Sequence, residues 1–132
     1  VLRDGVPSFV ERWMAQPLLA TQARLGQVHL ERMRAQRLAN RAEALATSLR
    51  HAGTGTMPPL WDDLPRVAAP TLLVAGALDP KFTALTADMA AALPRARRAV
   101  VANSGHAVPV EAPAALAATV AWFLAGAAGR VE

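Results

Sequence analysis

The spacing of apolar positions changes near Pro58-Pro59. Before that point it is helical. Val6, Phe9, Val10, Trp13 and Met14 fall at the i, i+3, i+4 steps of one helix face, which predicts a helix over 6–16. Pro17 ends this helix or begins the next. Thr21 offers an N-cap for a second helix through about residue 36, carrying Leu25, Val28, His29, Arg32 and Met33. Asn40 offers a cap for a third helix running through Leu49 and stopped by Gly53-Thr54-Gly55. Residues 1–55 show no strand-like alternation.

After Pro58 the pattern alternates between strand and helix. Trp61-Asp62-Asp63-Leu64-Pro65 reads as a connector. The run 71–76 is continuously apolar, as a strand of a parallel sheet covered on both faces requires. A helix is predicted over 83–93, ended by Pro94, then a second strand over 99–103. A closing helix over 113–124 has Pro113 in its first turn and Ala117, Val120, Ala121 and Leu124 on one face. The tail from Gly126 to Glu132 is expected to fray. The layout is three helices followed by βαβα, an α/β arrangement. Two parallel strands leave edges unpaired, so further strands are expected from a preceding segment.

Composition narrows the class. With 53% hydrophobic and 18% charged residues the chain is globular rather than disordered. No apolar run approaches the ~20 residues of a membrane span. The first residues lack the basic-then-apolar layout of a signal peptide and an initiator Met, so a fragment is one reading of the chain. The absence of Cys excludes disulfides and thiol chemistry, and the expected location is cytoplasmic. The pI of about 11.3 invites a nucleic-acid reading. The basic residues argue against it: all but Lys81 are Arg, and they are spread along the chain. The densest group, Arg32, Arg34, Arg37 and Arg41, has the spacing of a solvated helix face.

Two positions carry candidate chemistry. Asp79 lies just past the first apolar strand, in Gly76-Ala77-Leu78-Asp79-Pro80-Lys81-Phe82. His106 lies just past the second, in Asn103-Ser104-Gly105-His106-Ala107-Val108. An acid after one strand and a His after the next is how the last two members of a Ser-Asp-His order are delivered. Asp79 would orient the imidazole, and His106 would serve as general base and then acid. The plainer alternatives are an Asp-Pro turn closing a strand and a surface loop His. His29 and His51 fall in helical pattern and read as structural or exposed. None of Ser8, Ser48 and Ser104 sits in Gly-x-Ser-x-Gly, so a nucleophile and its oxyanion hole are expected from outside these residues.

At these residues the chain resembles the α/β-hydrolase superfamily. More narrowly, it resembles the 2-succinyl-6-hydroxy-2,4-cyclohexadiene-1-carboxylate synthase family of menaquinone biosynthesis. The likeness spans roughly 9–124. It rests on Phe9-Val10-Glu11-Arg12-Trp13, Gln16-Pro17-Leu18-Leu19, Gln36-Arg37-Leu38-Ala39-Asn40, the stretch from Leu49 through Gly53-Thr54-Gly55 to Trp61, Asp79-Pro80-Lys81-Phe82 and Gly105-His106-Ala107-Val108. The resemblance implies a lyase without metal or organic cofactor. Its Ser-His pair takes a proton from a polycarboxylate substrate, and pyruvate is eliminated. It also implies that Arg37 anchors a substrate carboxylate and that Trp13 lines the pocket. A surface Arg and a packing Trp are the alternatives. Met14 departs from the family, where some members carry a second aromatic. Lys81 is expected to hold the loop after Asp79.

Residues 1–56 are therefore expected to form a helical lid, and 57–132 the C-terminal part of an α/β-hydrolase core. The expected partner is a small polycarboxylate, with no nucleic acid and no membrane, and the chain is expected to need the N-terminal half of its own fold. An esterase or C–C hydrolase of the same fold is the alternative, followed by an inactive stand-alone remnant.

Overall fold

In the computed structural model, which describes residues 1–128, the first helix α1 spans Gly5–Met14. Val10 is its buried residue, and Phe9 stacks on Trp13 with ring centroids 5.9 Å apart. Gln16 is extended, as the residue before a proline must be, and Pro17 opens a 3-10 helix, Pro17–Leu25. The chain then breaks at Gly26, whose φ of 82° belongs to the region only glycine enters without cost. Helix α2 follows at Gln27–Leu38.

This corrects the single helix expected from Thr21. Gly26 was the overlooked breaker, and Thr21 caps nothing: its Oγ1 is buried without a hydrogen-bond partner among the described residues. Met33 is buried in α2, whereas Val28 is 83% exposed. Asn40 likewise acts on the other helix. Its Nδ2 donates to the carbonyl oxygens of Arg37 at 2.9 Å and Gln36 at 3.3 Å, closing the C-terminus of α2. Helix α3, Ala42–Ala52, starts after Arg41 without a side-chain cap. Within this unit Arg34 pairs with Glu11 at 2.6 Å across α1 and α2. Both side chains are about half exposed, so the pair contributes less than about 1 kcal/mol.

Val1–Pro59 is one compact unit, and a second begins at Leu60. The second opens with a 3-10 helix, Trp61–Arg66, where a connector was expected. Strand β1, Thr71–Gly76, and strand β2, Ala96–Val101, pair in parallel from Thr71↔Ala96 to Gly76↔Val101. Helix α4, Pro80–Ala92, makes the crossover. Strand β2 begins earlier than expected because two arginines are absorbed into it. Arg98 donates to Thr86 Oγ1 at 3.2 Å and to the Thr83 carbonyl at 2.7 Å. The Arg97 guanidinium lies 4.7 Å from the centre of the Trp122 ring.

A four-residue helix that the pattern missed, α5 at Val108–Glu111, precedes α6 at Pro113–Ala128. The face of α6 that carries Ala117, Val120, Ala121 and Leu124 is exposed, with Val120 at 37% and Leu124 at 59%. Leu116, Thr119, Phe123 and Gly126 are half-buried. Residues 126–128 continue the helix where fraying was expected, and 129–132 lie outside the described residues. Among the described residues no helix is long and apolar enough to cross a membrane.

Candidate active site

The C-terminal ends of the two strands are drawn together at Gly76. A Cβ there would run into the carbonyl oxygens of Ser104 and Gly105, so the close approach of β1 to the loop after β2 requires glycine. Backbone bonds fasten the same junction: Ala77 N–H donates to the Val101 carbonyl at 2.9 Å, and Leu78 N–H to that of Ser104 at 2.9 Å. The loop turns at Asn103, whose φ of 57° is left-handed, a conformation Asn tolerates better than most residues.

Asp79 leaves this junction with a side chain only 4% exposed. It is the N-cap of α4, and its Oδ1 accepts the Phe82 N–H at 3.1 Å. This cap starts α4 at Pro80 rather than near residue 83. Its Oδ2 lies 2.8 Å from His106 Nδ1. A carboxylate partner requires the hydrogen on Nδ1, which leaves Nε2 with the free lone pair in the neutral ring. The Phe82 ring meets the imidazole edge-on, with centroids 4.5 Å apart. The His106 side chain is 31% exposed. The result is an oriented, accessible imidazole backed by a buried acid.

Glu111 was missed by sequence reasoning. Its Oε2 accepts the Gly105 N–H at 2.8 Å and its Oε1 the Ala107 N–H at 3.1 Å, so it grips the backbone on both sides of His106. The only signal was an acid on the turn after the His, which apolar periodicity does not read.

Trp13 and Arg37 belong to the first unit. They line one mainly apolar cavity of about 190 Å³ with Phe9, Val10, Asn40, Leu45, Ser48 and Leu49. Arg37 Nη1 is buried with no hydrogen-bond partner among the described residues. A second cavity of about 250 Å³, beside Pro70, Arg95 and Ala96, lies at the N-terminal ends of the strands, opposite Asp79 and His106. Ligands of open α/β sheets bind at the other, C-terminal end.

The remaining candidates lie apart from this chemistry. Lys81 Nζ stands 5.9 Å from the Phe82 ring centre, while the loop after β1 is held by Asp79 and by Thr83, whose hydroxyl donates to the Gly76 carbonyl at 3.2 Å. Ser104 is fully buried, and Ser8 accepts a hydrogen bond from Arg12. Among the described residues no Ser is hydrogen-bonded to His106, and no group of three His, Asp or Glu is placed to hold a metal ion.

Comparison with known proteins agrees with this layout. Over 124 residues the chain is 39% identical to a Bacillus subtilis (strain 168) protein whose name assigns it, provisionally, as a 2-succinyl-6-hydroxy-2,4-cyclohexadiene-1-carboxylate synthase; the match covers 94% of this chain and 45% of the relative. The synthase of that name from Serratia proteamaculans (strain 568) is 33% identical over 122 residues, covering 92% and 45%. The structure of MenH from S. aureus superposes with a TM-score of 0.91 at 32% identity, covering 94% of this chain and 47% of that one. The chain thus spans about half the length of the curated relatives it matches. The family model described as the alpha/beta hydrolase family matches residues 2–119, and with the parallel strand pair and its terminal Asp and His in place, the chain belongs to that family.

Proposed function

We propose that the protein carrying this chain is a 2-succinyl-6-hydroxy-2,4-cyclohexadiene-1-carboxylate synthase of menaquinone biosynthesis, a carbon–oxygen lyase releasing pyruvate from a polycarboxylate. Asp79 and His106 are its acid and base, and the serine comes from a segment outside this chain. His106 Nε2 draws the proton from the serine hydroxyl, which in turn removes a proton from the substrate. The carbon–oxygen bond then breaks, and its electrons leave with the pyruvate fragment. Asp79 stabilises the imidazolium and fixes the tautomer. The imidazolium gives its proton to the departing enolate, which becomes pyruvate, and serine and histidine are left as they began.

The observation that carries the lyase reading over a plain esterase is Arg37. A guanidinium nitrogen buried without a partner among the described residues, beside an apolar cavity, favours an anionic guest. A guanidinium is permanently charged and matches a carboxylate with two parallel bonds. Trp13 supplies the flat apolar wall. Residues 1–56 serve as the lid segment and 57–132 as the C-terminal part of the core. The protein works in the cytoplasm on a small molecule, without nucleic acid.

The deciding experiment is to give the intact purified protein the polycarboxylate substrate and, separately, p-nitrophenyl esters. Pyruvate release matched by formation of the cyclohexadiene product supports the lyase. Rapid ester cleavage without pyruvate release overturns it in favour of an esterase of the same fold.

A further inference from the structure

We propose that Glu111 is a positioning residue for His106, acting entirely through the backbone. The loop from Asn103 to Ala107 belongs to no helix or strand, so its amide hydrogens have no partners from regular structure. Two of them, Gly105 N–H and Ala107 N–H, flank His106 and are taken by the two oxygens of one carboxylate, at 2.8 and 3.1 Å. Fixing the residues on both sides fixes the direction in which the His106 Cα–Cβ bond leaves the chain. The remaining side-chain rotations are settled by Asp79 Oδ2 at 2.8 Å and by the edge-on Phe82 ring.

Glu111 is itself held by what it holds. Its own N–H donates to the Ala107 carbonyl at 2.9 Å, as does that of Val110 at 2.8 Å. Residues 107–111 therefore close a ring through both backbone and side chain. Because both oxygens of Glu111 are engaged by amides, it does not compete with Asp79 for Nδ1. Bonds to an ionised acceptor are roughly twice as strong as neutral ones, so a carboxylate is the side chain suited to bracing two amides together. Gln offers one carbonyl oxygen and sets an NH2 group against the second N–H.

The inference rests on His106 being the proton-carrying base proposed above, and the test separates the two. In the intact protein, the His106 Nδ1 proton is followed by NMR as the downfield imidazole signal, together with exchange of the Gly105 and Ala107 amides. E111Q, which keeps length and shape, is expected to broaden or shift the imidazole signal and to speed exchange at both amides by about 10-fold or more. With the imidazole misplaced, kcat for pyruvate release is expected to fall by up to ~100-fold, with KM within about twofold of wild type. E111A is expected to do the same more strongly, and if it fails to fold, E111Q gives the same readouts. An unmoved imidazole signal in E111Q overturns the proposal, even where Tm falls, because Glu111 is then only a structural brace. A moved signal with unchanged kcat supports the brace on His106 and sinks the catalytic role assigned to that histidine.

Discussion

At the scale of the residue, Asp79 has two duties that one substitution separates. Its Oδ1 caps α4 and its Oδ2 holds His106 Nδ1. Asp79→Asn keeps an oxygen for the Phe82 N–H but turns an NH2 group toward the imidazole, which favours the wrong tautomer. Turnover is expected to drop by about 10^4-fold while the fold persists, measured as kcat for pyruvate release beside a thermal melt. Arg37 should show the opposite trade. Arg37→Met removes a buried donor that has no partner among the described residues, which otherwise costs about 1–3 kcal/mol. Stability is expected to hold or rise while KM for the polycarboxylate rises at least about 10-fold, read from steady-state kinetics and denaturant unfolding together. If KM stays put, the carboxylate anchor lies elsewhere. Asp79 and His106 were legible because each ends an apolar run, and a polar residue at that place announces a strand terminus. Glu111 was not legible, because its partners are backbone amides and every residue but proline has one.

At the scale of the element, the order of helices and strands was legible, whereas their ends and faces were set by contacts that periodicity does not see. A glycine with positive φ splits the expected second helix at Gly26. A side chain read as the start of α3 instead closes α2, through Asn40. The guanidiniums of Arg97 and Arg98 find an aromatic ring and a helix to rest on, so β2 extends over residues that look too polar for it. The α6 face chosen by apolar spacing is exposed because a helix so rich in Ala and Leu has no polar side to orient it. The junction at Gly76 gives an element-scale prediction. Gly76→Ala places a Cβ against two backbone carbonyls, which cannot swing aside as a side chain would. The variant is expected to lose about 1–3 kcal/mol in denaturant unfolding. It should also disturb the Asp79–His106 bond, because the same contact joins the ends of β1 and β2. A melt like that of wild type would mean that the junction yields more readily than its geometry implies.

At the scale of the whole molecule, charge and sheet bear on what the chain can do alone. The net charge is +4. Arg3 and Arg12 lie on Asp4, Arg34 on Glu11 and Arg66 on Asp63, so part of the positive charge is compensated locally. The sheet is the stronger constraint. Among the described residues β1 and β2 each have one partner strand, and a two-stranded parallel pair is marginal in water. The relatives matched here are about twice as long, and among the described residues no serine is hydrogen-bonded to His106. The 132-residue chain by itself is therefore expected to release no measurable pyruvate from the polycarboxylate. Co-expression with a preceding segment bearing Gly-x-Ser-x-Gly should restore turnover, because strand pairing and the serine would arrive together. Turnover restored in this way should vanish again with Asp79→Asn in this chain, which ties it to the assembled relay rather than to the added segment. If the chain alone releases pyruvate at the restored rate, the serine assignment fails, and the base must act on the substrate directly through His106 Nε2.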